Sequence, residues 1–258
     1  MDIFNLNYAE FERFLFVFFR VGALILFVPV LGSRQIPSSM KIGFILFLSI
    51  VIFPLVQDRS VPEPQGIFEL SIFLISDVTI GLGIAFIARL IFTAVQIAGT
   101  VVDFQMGFGV VNVIDPQTDT QVSVTAQFHN IIAVLIFLAI DAHHFIIQAI
   151  VESFFIINPA EINFASITPE YMLYLFSATF TTAVKIAAPI MAILFFLSVG
   201  LGLVARTVPQ MNVFIVGFPL QIGVGLLMVG LSISFFSILV QQQMYELPGK
   251  FMGFLRAL

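Results

Sequence analysis

The chain has 258 residues, 60% of them hydrophobic and only 10% charged, with a mean hydropathy of +1.11 and a formal net charge of −5. Too few polar residues remain to clothe a soluble core, so the composition excludes an ordinary soluble domain and points to an integral membrane protein. The absence of Cys excludes disulfides and thiolate metal sites, and no basic cluster suggests a nucleic-acid partner.

Met1-Asp2-Ile3-Phe4 is acidic and lacks the basic start of a cleaved signal peptide, so the first hydrophobic segment is read as retained. Hydrophobic segments follow at Phe11–Leu31, Lys41–Val56, Ile67–Met106, Val122–Ile157, Tyr171–Val204 and Val213–Gln241. A helical span needs about 20 apolar residues. The first, second and sixth fit one span each, the second barely, and the third, fourth and fifth are too long for one. Ile67–Met106 is too long: as one helix it measures about 60 Å against a hydrocarbon core of about 30 Å. Either it breaks at Gly81-Leu82-Gly83 or it extends beyond the bilayer inside an assembly. Val122–Ile157 carries its own break at Asp141-Ala142-His143-His144 and reads as two short helices.

The connections are short. Gly32–Ser39 joins the first two segments, Gln57–Gly66 holds Pro62 and Pro64, and Asn158–Pro169 runs into Thr168-Pro169-Glu170, a helix start with proline at the first position. After Met106 the chain stays apolar but becomes glycine-spaced, through Gly107, Phe108, Gly109, Val110, Val111, Asn112, Val113 and Ile114 to Asp115-Pro116. Glycine weakens a helix and Pro116 biases Asp115 away from one, so this stretch reads as irregular. Irregular backbone at membrane depth survives only when buried in protein or lining a cavity, which points to a pore, gate or binding site. Arg206-Thr207-Val208-Pro209-Gln210-Met211-Asn212 reads as a tight turn between two long helices, followed by a break at Gly217-Phe218-Pro219. The positive-inside signal is flat, which suits a chain placed by its partners. Thirty-two Phe against no Trp and four Tyr also favours burial against partner subunits over anchoring at the bilayer surface.

Arg20, Asp77, Arg89, Asp103, Asp141 and Lys185 sit inside apolar stretches. Such charges are costly in a membrane unless paired, and structural pairing inside an assembly is the preferred reading over an ion relay. Asp77 and Arg89 lie about 18 Å apart along one helix and cannot pair within it. His129, His143 and His144 lack His-x₃-His spacing, and adjacent histidines point in different directions on a helix, so no metal site is expected. No catalytic triad, phosphate loop or zinc-protease motif occurs; neither an enzyme nor a cofactor is expected. Small residues at Ala94/Ala98, Ala183/Ala187, Ala188/Ala192, Gly81/Gly83, Gly200/Gly202 and Gly223/Gly225 allow close helix approach.

Three stretches carry a resemblance that covers essentially the whole length: Phe19-Arg20-Val21-Gly22-Ala23-Leu24 through Pro29 with Arg34-Gln35-Ile36-Pro37 and Lys41-Ile42-Gly43; Gly99 to Pro116 with Gln105-Met106-Gly107; and Pro209-Gln210 through Val216-Gly217-Phe218-Pro219. At these residues the chain resembles the FliR family of flagellar export-gate proteins, shared with virulence type III secretion, and Gly217-Phe218-Pro219 leans to the flagellar side. The resemblance implies an all-α membrane protein in which a FliP-like portion (1–169) is fused to a FliQ-like helical hairpin (170–258). It implies assembly with FliP-like and FliQ-like subunits, one copy of this chain in the complex, and FlhB packing on the cytoplasmic side with FlhA nearby. It further implies a place in the inner membrane, at the flagellar basal body and raised toward the periplasm, with unfolded flagellar proteins in transit. It places a channel plug at Met106–Asp115, near 106–121, and partner contacts at Arg206, Thr207, Pro209, Gln210 and Asn212. Where some relatives have Phe in the plug, this chain has Val110 and Val113. The competing readings are a secondary transporter of a small solute, from the broken helices and intramembrane charges, and the virulence counterpart.

Overall fold

The computed structural model describes residues 8–33, 35–56, 64, 66–108, 123–158, 162, 169–208, 210 and 212–258, apart from the side chains of Tyr8, Ala9, Val213 and Phe214. All regular structure among the described residues is helical: α1 (Tyr8–Phe27), α2 (Ser38–Val56), α3 (Ile67–Met106), α4 (Val124–Ala139), α5 (Ala142–Ile156), α6 (Pro169–Thr207), α7 (Val213–Tyr245) and α8 (Leu247–Ala257). An apolar chain must satisfy its backbone internally, and helices do so without a neighbour. Four stretches are long and apolar enough to cross a membrane: α2, α3, α6, and Ile215–Ala257, which covers α7 and α8; α4 and α5 together make a possible fifth, broken span. The first segment forms α1, but it carries Glu10, Glu12, Arg13 and Arg20 and is not among the apolar spans.

The chain divides into two compact units built from interleaved segments, Met1–Leu90 with Asp141–Leu175 and Tyr245–Leu258, and Ile91–Ile140 with Phe176–Met244. These units cut across the division at 169/170, which rests on resemblance alone.

In the first unit α1 packs along α2, α2 meets α5, and α5 meets α8. The core is formed by Phe16, Val21, Leu24, Ile45, Ile52, Ile80, Ile84, Ile150 and Phe251. Of the two alternatives for this segment, a break at Gly81-Leu82-Gly83 does not occur: α3 is one continuous helix of 40 residues. Those glycines instead admit neighbours. A Cβ on Gly81 would lie 2.3 Å from the Arg20 carbonyl oxygen of α1, and one on Gly83 would lie 2.0 Å from the Phe254 ring of α8. Continuing the helix keeps its backbone hydrogen bonds, and the missing side chains are filled from outside. Helix α8 was not anticipated. It starts with proline in its first turn and buries Leu247, Phe251, Phe254 and Leu255 at helical spacing. The Tyr171 hydroxyl donates a 2.6 Å hydrogen bond to the Lys250 carbonyl, fixing the start of α6 to α8.

The second unit contains the C-terminal part of α3, helix α4, and the long hairpin of α6 and α7. A Cβ on Gly99 would lie 2.2 Å from the Ala126 Cα, so α3 and α4 touch at their backbones. Ala94, Ala98, Ala183 and Ala187 are buried, as small residues at close contacts should be, whereas Ala188 and Ala192 are exposed. Gln221 Nε2 donates to Ser198 Oγ at 3.1 Å across the hairpin.

Candidate functional site

The glycine-spaced segment leaves α3 at Met106, and its first residues are fixed in the second unit. Met106 is fully buried, and its side chain occupies the space where a Cβ on Gly225 of α7 would stand, 2.6 Å away. Gly107 has φ +92°, a left-handed conformation that side chains rarely adopt, and a Cβ there would meet the Phe218 ring at 2.8 Å. Two motifs distant in sequence therefore meet at one point: Met106-Gly107 against Phe218 and Gly225. Gly109, Val110, Val111, Asn112, Val113, Ile114 and Asp115 lie outside the described residues.

Asp103 ties this exit to the helix that follows the segment. Its carbonyl oxygen accepts from the Phe108 N–H at 3.1 Å. Its carboxylate Oδ2 accepts from the Ser123 hydroxyl at 2.5 Å and from the Thr125 N–H at 3.2 Å. Ser123 is the N-cap of α4, and its hydroxyl oxygen accepts from the Ala126 N–H at 3.0 Å. A carboxylate here satisfies otherwise orphaned donors and matches the positive end of the helix dipole. One turn on, the His129 ring hydrogen-bonds the Thr125 carbonyl at 2.9 Å and packs on Phe236 at 4.7 Å between centroids. Sequence reasoning named Asp103 as a buried structural charge but missed Ser123 and Thr125. The signal available was the Ser123-Val124-Thr125 start of an apolar run.

The hairpin turn is shorter than expected. Arg206 and Thr207 belong to the last turn of α6, with the Thr207 hydroxyl donating back to the Val204 carbonyl at 3.1 Å. Arg206, Thr207, Gln210 and Asn212 are exposed, and Pro209 lies outside the described residues. The expected break at Gly217 and Pro219 is also corrected: α7 is helical through both. Gly217 is buried against Leu201 of α6, where a Cβ would stand 3.3 Å from its Cδ1, so the small residue serves the hairpin contact.

Among the buried charges, Arg20 and Asp77 form an ion pair that is fully buried on both sides. Arg20 Nε donates to Asp77 Oδ1 at 2.7 Å, and NH1 donates to Ser153 Oγ at 2.9 Å. The guanidinium also lies 3.8 Å from the Phe154 ring centroid. Arg89 and Lys185, expected to be buried, are instead exposed on this chain. An apolar neighbourhood in sequence says nothing about which side of the helix a charge occupies.

The chain breaks after α4 as expected, at Asp141, which takes a left-handed conformation with φ 56°. One expectation fails there: His143 and His144 do not diverge, and their ring centroids lie 4.2 Å apart. One ligand atom from each of Asp141, His143 and His144 lies within 4.8 Å of the others.

Comparison with known proteins matches residues 11–247 to the bacterial export proteins, family 1. The chain is 38% identical over 235 residues to the flagellar biosynthetic protein FliR of Bacillus subtilis, covering 90% of each chain. It is 30% identical over 212 residues to FliR of Escherichia coli K12, covering 80% of this chain and 78% of that one. It is 26% identical over 207 residues to the Yop proteins translocation protein T of Yersinia pestis, covering 78% of each. The matched residues take in the exit from α3, the Asp103 network and the Gly217-Phe218-Pro219 contact, and the chain therefore belongs to the bacterial export proteins of family 1.

Proposed function

We propose that this chain is a structural, non-catalytic subunit of the flagellar type III protein export gate, joined to FliP-like and FliQ-like subunits and contacted by FlhB at the exposed α6–α7 turn. One observation carries the assembly reading. Helix α3 is continuous for 40 residues, about 60 Å, twice a hydrocarbon core of about 30 Å. Yet Ile67 and Phe68 at one end are 85% and 80% exposed, and Phe104 at the other is 63% exposed. Lipid cannot cover both ends of such a helix at once, so protein partners do. The same need extends to α6, which at 39 residues is also about twice the length of a hydrocarbon core. The relatives favour the flagellar system over the virulence one, at 38% against 26% identity.

Within that assembly, the segment from Met106 to Asp115 serves as the plug. The support is its apolar sequence and its starting point, a glycine in left-handed conformation packed on Phe218. A hydrophobic constriction blocks ions by dewetting. The test is to delete Gly109–Val113 in a strain co-expressing the FliP-like and FliQ-like chains. The assembly is expected to co-purify at its normal mass while the inner membrane becomes leaky to small ions. A stable monomer that ignores both partners would sink the assembly reading. Normal assembly with no added conductance would sink the plug.

A further inference from the structure

We propose that Asp141, His143 and His144 form a zinc site at the start of α5. The three residues occupy one helical turn. Asp141 is the N-cap of α5, but its carboxylate makes no capping hydrogen bond; the turn is held instead by its carbonyl oxygen, which accepts the His144 N–H at 2.9 Å. An N-cap carboxylate normally turns toward the free N–H groups of the first turn. Here it stands with the imidazoles, one donor atom from each residue within 4.8 Å of the others and the two rings 4.2 Å apart at 38°. The backbone of Asp141 is left-handed there, φ 56° and ψ 28°. Asp is one of the few residues that tolerate that conformation.

The donor set is two imidazole nitrogens and one carboxylate oxygen. Imidazole favours zinc, copper, iron and nickel over magnesium or calcium. Zinc has no geometric preference from its d electrons and accepts three protein ligands with water in the fourth position. Bonds of about 2.0–2.2 Å require the three donors to draw together from their present spacing. Asp141 and His144 are exposed and His143 is half-buried, so rotation of the two exposed side chains suffices. The positive end of the α5 dipole opposes a cation, and the Asp141 carboxylate offsets it. Ligation neutralises a carboxylate and engages two imidazoles in a chain whose surroundings are otherwise apolar, and it fixes the first turn of α5.

The test uses the full chain purified in detergent through a tag without histidine, stripped with a chelator and titrated with zinc against a chromogenic competitor. One zinc per chain is expected, and cobalt in its place should give visible d–d bands. His144→Ala and Asp141→Asn should each weaken zinc binding at least about tenfold, since even outer-shell partners cost that much. Asp141→Asn keeps a residue tolerant of the left-handed conformation, and its melting curve without metal should match that of the parent. If that variant and His144→Ala bind zinc as tightly as the parent, or if the parent shows no saturable binding, the site does not exist.

Discussion

The two compact units each bury an aspartate in an apolar setting, and they use it differently. In the first, Asp77 answers a full charge: Arg20 comes from α1, Asp77 from α3 and Ser153 from α5, so one network clamps three helices. In the second, Asp103 is met by hydroxyl and amide donors: it accepts from Ser123, Thr125 and, through its carbonyl, Phe108. The first arrangement is a charge pair that collapses if either member is lost. The second is a set of neutral donors around one carboxylate, which loses strength bond by bond. A buried charge thus marks a cross-helix tie in one unit and the joining of two segment ends in the other.

That contrast sets an order of effects. Arg20→Ala or Asp77→Ala leaves a buried unpaired charge and should cost about 3–5 kcal/mol. Either variant is expected to be nearly absent from membranes by immunoblot, while Arg20→Leu with Asp77→Leu should recover much of the loss. Equal depletion in the double variant would show that the pair does more than cancel charge. Next comes Gly81→Val, whose side chain would meet the backbone of α1. Overpacking of this kind costs about 1–3 kcal/mol, and thermal unfolding in detergent should show it, whereas Gly43→Val, with open space around it, should unfold near the parent temperature. The smallest effect belongs to Ser123→Ala. It removes an N-cap worth about 0.5–2 kcal/mol and leaves the Thr125 bond to Asp103 in place. Hydrogen exchange should accelerate at the first turn of α4 and leave α5 unchanged; uniform acceleration would erase the distinction between the two units.

Much of the scaffold was legible because its signal is local. The bounds of Ile67–Met106, the helix start at Pro169 and the break at Asp141 follow from apolar runs, proline and a polar cluster, all read along the chain. What escaped was set by contacts between distant residues. Arg20 and Asp77 are 57 positions apart, and nothing in either helix names the other. Gly81, Gly83 and Gly217 read as helix breakers by their intrinsic cost, yet in an apolar medium the backbone keeps its internal bonds and the gap is filled by Arg20, Phe254 or Leu201. Helix α8 lies beyond the last apolar run, and its signal was the helical spacing of Leu247, Phe251, Phe254 and Leu255 behind a proline in the first turn.

The pairing of glycines with bulky side chains has a mechanical consequence. Apolar helices in an apolar medium have little to stop one sliding lengthwise past another, since every position along the track offers much the same contact. Phe254 seated over Gly83, and Met106 seated over Gly225, act as pegs in sockets. A shift by one turn, about 5.4 Å, would withdraw each peg and press it against a full-sized neighbour. The chain therefore measures out where its helices stop along their axes, and the Met106 peg fixes the height at which the glycine-spaced segment departs.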